Sequence, residues 1–213
     1  MIAAVTAAYA LGCAAYLLAF GYNDSATGAV VKMLPVLLLA AASVRLMRGA
    51  WRRGMVTALL FSALGDWLLG MNGVRGDLFV AGLGSFLLAQ LAYAQLFWRH
   101  RSPDRRRRAL ALAWLPVAAL LAWLVLPGAG TMAVPVTLYM LAITAMVTGA
   151  ALADRTLLLF AGALAFAFSD ATIALNRFVA PLPQAGLVIM LSYYLAQWLL
   201  WRGALGGPEE ESR

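Results

Sequence analysis

Long apolar stretches run along the whole chain, each close to the ~20 residues that cross a bilayer as a helix. Short breaks rich in charge, glycine and proline separate them. The pattern predicts helical spans over roughly 2–20, 28–44, 54–70, 78–98, 109–126, 131–152, 156–176 and 184–201. The expected fold is therefore all-α. It is a polytopic integral membrane bundle of about eight transmembrane helices, forming a single domain over residues 1–205. The tail, 206–213, opens with Gly206-Gly207-Pro208 and continues into three glutamates. It is expected to be disordered.

Composition points the same way. The chain has 213 residues, 64% hydrophobic and 12% charged, with a mean hydropathy of +0.84. A soluble domain of this size needs far more charge to cover its surface. The one cysteine, Cys13, excludes an internal disulfide and reads as a small packing residue. It ends the run Ala10-Leu11-Gly12-Cys13, which faintly resembles a lipoprotein cleavage site. No basic stretch precedes that run, so residues 2–20 are expected to be a retained first span.

Charge orients the bundle. The net charge is +7, with fifteen arginines and one lysine. Thirteen arginines fall in the segments 45–53, 99–108 and 153–155 and after residue 201. The opposite loops hold only Arg75 and Arg177. The positive-inside rule places the arginine-rich loops and both termini in the cytoplasm. In a soluble protein, Arg105-Arg106-Arg107-Arg108 would suggest nucleic acid. Between two apolar spans, topology and anionic lipid headgroups account for it, and no nucleic acid is expected. The abundance of arginine and alanine suggests a GC-rich bacterial genome and hence a bacterial cytoplasmic membrane.

A shift of 104 residues brings several features into register. Gly65-Asp66 falls on Ser169-Asp170, Asn72 on Asn176, and Gly82-Leu83 on Gly186-Leu187. Gln90 falls on Tyr194, and Tyr93 on Gln197. Four spans separate the copies, so both point the same way. Two parallel four-helix repeats, 1–104 and 105–205, are expected, related by a pseudo-twofold axis along the membrane normal.

Three charges lie inside the spans: Lys32, Asp66 and Asp170. Each costs about 2.5–3.5 kcal/mol at mid-membrane on insertion scales, so such residues are usually paired and usually functional. Ser62 precedes Asp66 by one turn, and Gly65 allows a neighbour to approach closely. Arg177 shares a face with Asp170, seven residues on. By the assigned topology all three charges fall in the outer half of the bilayer. Gln90 with Tyr93, and Tyr193 and Tyr194 with Gln197, add polar groups at helical spacing, deeper in the membrane. One reading is a buried Lys–Asp pair that fixes register, with amides and tyrosines as interhelical glue. The other is a site. Two acids and one clear base leave a carboxyl group as a candidate proton donor in low dielectric.

Other chemistries are poorly served. His100, the sole histidine, lies in a basic loop and is expected to be a solvated residue. A zinc site would need all-carboxylate ligation. No Ser-His-Asp set can be built within the spans, and the glycines form no phosphate-binding pattern. No metal or cofactor is expected.

Several segments together resemble the YhhN family, which includes the animal transmembrane lysoplasmalogenases. They are Lys32-Met33-Leu34-Pro35, Phe61-Ser62-Ala63-Leu64-Gly65-Asp66, and Phe86 through Tyr93. The most extended match runs from Phe168-Ser169-Asp170 through Asn176-Arg177-Phe178 and Pro181-Leu182-Pro183 to Tyr193-Tyr194-Leu195-Ala196-Gln197. The resemblance implies hydrolysis of the vinyl ether bond of a lysoplasmalogen, a lysophospholipid, to a fatty aldehyde and a glycerophospho-alcohol. For that reaction Asp66 and Asp170 are expected to form the acid pair, with Lys32 and Arg177 as phosphate ligands. Gln90, Tyr93, Asn176, Tyr193, Tyr194 and Gln197 would complete the substrate-binding set. One position departs: Gln90 stands where members commonly carry histidine, so it is assigned a binding role only. Two other classes share these features, a small-molecule or lipid transporter and a non-catalytic lipid-binding membrane protein.

Overall fold

A computed structural model describes residues 1–19 and 25–206. The expected disorder of the tail concerns residues that, from 207 onward, lie outside this range. The molecule is all-helical, 87% helix with no strand among the described residues. The described residues form eight long helices: α1 (Ile2–Ala19), α2 (Ala26–Leu46), α3 (Gly49–Gly70), α5 (Phe79–Arg99), α6 (Arg105–Val125), α7 (Ala133–Leu152), α8 (Leu158–Phe178) and α9 (Ala185–Leu205). A single turn, α4 (Asn72–Arg75), lies between α3 and α5. Each predicted span lies on one long helix. The helices run further than the spans at their arginine-rich ends. α3 takes in Arg52 and Arg53, and α6 takes in Arg105 to Arg108, because arginine is a good helix former whose charge can extend beyond the apolar zone.

Six of these helices are long and apolar enough to cross a membrane: α1, α2, α5, α6, α7 and α8. α3 and α9 are the exceptions, and their composition explains it. α3 carries Arg52, Arg53 and Asp66; α9 carries Tyr193, Tyr194, Gln197 and Arg202. The polar side chains at mid-helix are buried inside the protein. Outward faces are apolar instead: Leu18 is 87% exposed, Trp123 72% and Val134 70%. Water would penalise such a surface, whereas lipid accepts it. The protein is an integral membrane protein on this distribution.

The helices gather into two compact units, Met1–Ala92 and Tyr93–Arg213, divided within α5. In the first, α2 packs along α3 and α1 packs on α2. A side chain at Gly70 would meet the Cα of Ala29 at 2.8 Å, so small residues set the α2–α3 spacing. The first part of α5 joins α3 through Ser85, whose hydroxyl donates to the Phe61 carbonyl at 2.7 Å. Cys13 is a free, buried thiol on α1, as its packing role requires. In the second unit α8 and α9 pack antiparallel, α6 packs on α7, and α7 on α8.

Two loops of the second unit are tied together. Ser102 N–H donates to the Leu152 carbonyl and Asp154 N–H to the His100 carbonyl, both at 2.7 Å. His100 is half-buried, with Nδ1 at 2.8 Å from the Leu96 carbonyl. It is thus part of a helix end rather than the solvated residue expected from its basic loop. Arg107 reaches from α6 to the carbonyls of Ala153 and Arg155, both at 2.5 Å, and to that of Ala151 at 3.4 Å. It closes the C-terminal end of α7, whose last carbonyls have no partner within the helix. Arg107→Ala is expected to lower stability by about 1–3 kcal/mol. Arg107→Lys should restore little, since one ammonium cannot copy the planar fork. Thermal unfolding in detergent, with Arg106→Ala as the neutral control, measures both.

Candidate functional site

The polar residues singled out in the sequence fall into local groups, each within one unit. In the first unit Asp66 sits on α3, 1% exposed. Lys32 of α2 lies beside it, with Nζ 3.9 Å from Oδ1 and side-chain exposures of 12% and 2%. At that separation the two form an ion pair without a direct hydrogen bond. The close packing of α2 on α3 brings them together, and each charge offsets the cost of burying the other. Ser62, one turn earlier, is fully buried, and its hydroxyl has no hydrogen-bond partner among the described residues. Gly65 lies under the ring of Phe86. A Cβ there would come within 2.6 Å of the ring, so only glycine admits α5 at this level. Gln90, further along α5, is fully buried.

In the second unit Asp170 sits on α8, partly buried. Tyr139 of α7 donates its phenolic O–H to Oδ2 at 2.5 Å, the short end of the O–H···O range. The sequence reading missed Tyr139. It lies in the largely apolar α7, away from the positions that match across the repeat and outside every segment of family resemblance, so only the contact reveals it. Ser169, next to Asp170, donates to the Ile189 carbonyl at 3.0 Å and pins α8 to α9.

Three of the expected binding residues cluster on α9. Tyr193 meets Phe166 edge-on at 5.5 Å and Tyr194 at 5.7 Å, and both tyrosines are buried. Gln197 is fully buried and accepts a 2.9 Å hydrogen bond from Tyr93, which is also fully buried. Two others stand apart from these. Asn176 uses Oδ1 to accept the Leu182 N–H at 2.8 Å, which shapes the loop after α8. Arg177 is exposed, its guanidinium carbon 5.9 Å from the centre of the Phe178 ring. Asn72 makes the same bond in the first unit, accepting the Leu78 N–H at 2.7 Å.

No group of three or more histidine, cysteine or acidic residues able to hold a metal ion occurs among the described residues. What each unit offers by itself is one carboxyl group held by a specific partner, Asp66 by Lys32 in the first and Asp170 by Tyr139 in the second, with buried amide or phenol side chains in the same unit. That set can donate and accept protons and stabilise a cation.

Comparison with known proteins completes the picture. The model of the YhhN family matches residues 27–204. The chain is 40% identical over 179 residues to a Mycobacterium bovis protein named lysoplasmalogenase, across 81% of this chain and 68% of that one. It is 37% identical over 193 residues to lysoplasmalogenase TMEM86B of Sus scrofa, across 88% and 80%. With TMEM86B of Homo sapiens it shares 33% over 204 residues, across 94% and 86%. No solved structure matches.

Proposed function

The chain belongs to the YhhN family, and we propose that it is a membrane hydrolase acting on lysoplasmalogen-like lysophospholipids. It cleaves the vinyl ether bond to give a fatty aldehyde and a glycerophospho-alcohol. The observation that carries this reading is the similarity to proteins named lysoplasmalogenase over most of the chain. The two partnered carboxyl groups supply the chemistry the reaction needs.

Cleavage starts with proton transfer to the β-carbon of the vinyl ether, which leaves an oxocarbenium ion. Water adds to the cationic carbon, and the resulting hemiacetal collapses to aldehyde and alcohol. Asp66 and Asp170 act as the pair, one delivering the proton and the other facing the cation as a carboxylate, as two carboxylates do around the related cation in glycosidases. Lys32 and Arg177 take the phosphate. Gln90, Tyr93, Tyr193, Tyr194 and Gln197 line the pocket. Asn176 serves this set through the loop it holds beside Arg177.

The hydrogen bond from Tyr139 adds a residue to this scheme, because it fixes the rotamer of Asp170. Tyr139→Phe keeps the ring and removes the bond. It is expected to lower kcat about tenfold with KM little changed, read by steady-state aldehyde release.

The proposal extends to topology: eight spans, with the arginine-rich loops and both termini on the cytoplasmic side of a bacterial membrane. Arg105, Arg106 and Arg108 meet anionic headgroups there. It also includes two parallel repeats, 1–104 and 105–205. Support comes from Asn72 and Asn176, which stand 104 positions apart and make the same bond to a backbone N–H six residues on.

The test is purified protein in detergent with a defined lysoplasmalogen, followed by mass spectrometry for fatty aldehyde. Aldehyde release is expected. A folded protein that leaves the lipid intact overturns the reading, and movement of labelled lipid without chemical change would assign the chain to transport.

A further inference from the structure

Five serine and threonine residues are buried among the described residues: Ser43, Ser62, Ser85, Ser169 and Thr172. Four of them spend the hydroxyl proton on a backbone carbonyl. Ser43 donates to Leu39 at 2.8 Å and Thr172 to Phe168 at 2.9 Å, each one turn back along its own helix. Ser85 and Ser169 donate to a neighbouring helix, at 2.7 Å and 3.0 Å. Ser62 is the exception. It is 0% exposed, and its hydroxyl has no hydrogen-bond partner among the described residues.

Position does not force that exception. The Ala58 carbonyl stands to Ser62 as the Leu39 carbonyl stands to Ser43, one turn back on an α-helix. A helical serine can take such a bond. A buried donor left unmatched is costly, and native proteins rarely keep one. Alanine would fill the same space without that cost. A function for the hydroxyl must therefore lie with another group in its reach. Asp66 is four residues on, on the same face of α3. Helical side chains lean toward the N-terminus, so a carboxyl group at Asp66 leans over the turn that carries Ser62.

The hold of Lys32 on Asp66 is loose. The pair is separated by 3.9 Å, beyond a direct hydrogen bond. The lysine side chain is the more exposed of the two, 12% against 2%. An ammonium on a flexible stem can turn to a second anion. Under the hydrolytic reading above, on which this inference rests, that anion is the substrate phosphate. We propose that Ser62 is a positioning residue for Asp66. When Lys32 turns to the phosphate of the lysophospholipid, the Ser62 hydroxyl donates to the carboxyl group and holds it for the reaction. The exchange needs only side-chain rotations on α2 and α3. It sets the acid in its working geometry only when a headgroup is bound.

Ser62→Ala removes the hydroxyl and little else. It is expected to lower kcat about tenfold with KM little changed, because Ser62 does not touch the substrate. Its unfolding temperature should hold or rise, since an unmatched polar group is gone. Ser62→Thr keeps the hydroxyl and should restore most of the rate. Ser43→Ala, which removes a hydroxyl bound to its own helix, should keep kcat at the wild-type value. Infrared difference spectroscopy of the full chain in detergent reads the bond itself. The probe is a lysophospholipid with a saturated alkyl ether, which carries the phosphate but has no vinyl ether to cleave. Its binding is expected to shift a carboxyl band that Asp66→Asn abolishes, and to shift it differently in Ser62→Ala. A response identical in wild type and Ser62→Ala overturns the proposal whatever the rates. So does an unchanged kcat in Ser62→Ala. A wild type that releases no aldehyde overturns the hydrolytic reading alone. A band response that depends on Ser62 would then keep the exchange, as an answer to bound phosphate.

Discussion

Asp66→Asn and Asp170→Asn are each expected to lower aldehyde release by about 10²–10⁴-fold, the range for removal of a positioned acid or base. The amide keeps the volume of the carboxyl group and can still accept a hydrogen bond, so the loss reports proton transfer and charge rather than packing. The two variants should differ in stability. Asp170→Asn retains an oxygen for the Tyr139 hydroxyl, which donates to Oδ2 at 2.5 Å, and is expected to unfold close to wild type. Asp66→Asn leaves the ammonium of Lys32, only 12% exposed at its side chain, without its counter-charge. Breaking a buried pair from one side costs about 3–5 kcal/mol. Adding Lys32→Met to Asp66→Asn removes the stranded charge and should recover most of the stability but none of the activity. Aldehyde yield by mass spectrometry, beside unfolding temperature, separates the two effects. Full activity in both single variants would sink the carboxylate mechanism.

Much of this was readable along the chain because a bilayer imposes simple rules. The length of apolar runs marked all eight long helices, and a charge inside such a run is costly enough to stand out, which is how Lys32, Asp66 and Asp170 were found. A buried Lys–Asp pair followed from the signs, but that Lys32 meets Asp66 rather than Asp170 came only from the packing of α2 on α3. What sequence could not supply was the partner of Asp170, because nothing in α7 distinguishes Tyr139 from a tyrosine at a lipid boundary. The arginines show the same limit. Net charge and position assigned Arg107 to topology with its neighbours, whereas its guanidinium closes the end of α7. Asn176 was picked out as a binding residue from a family motif, and its bond to the Leu182 N–H, which shapes the loop after α8, was not legible there. Patterns reveal which residues lie within an apolar run, and side-chain partners depend on how helices far apart in sequence are set together.

Gly203→Leu is expected to be strongly destructive in the second unit. A Cβ at Gly203 would lie 2.5 Å from the backbone nitrogen of Leu159, and one at Gly162 would lie 2.7 Å from that of Leu200. The two contacts are reciprocal: α8 and α9 run antiparallel with a glycine from each against the backbone of the other. Backbone cannot swing aside as a flexible side chain can, so the helices must separate. Close approach through small residues is the main source of helix association in a membrane, where no hydrophobic force draws helices together. Overpacking commonly costs about 1–3 kcal/mol, and a leucine forced against backbone belongs at or above the top of that range. Gly84→Ala on α5 is the matched control, because a Cβ there meets nothing within 4 Å, and alanine should stabilise that helix slightly. The functional consequence follows from what the two helices carry. α8 holds Asp170 and Ser169, α9 holds Tyr193 and Gln197, and the Ser169 bond to Ile189 sets one against the other. Gly203→Leu should therefore lose aldehyde release and thermal stability together, whereas Asp170→Asn loses the first and keeps the second. If Gly203→Leu unfolds like wild type, α8 and α9 do not need their close contact.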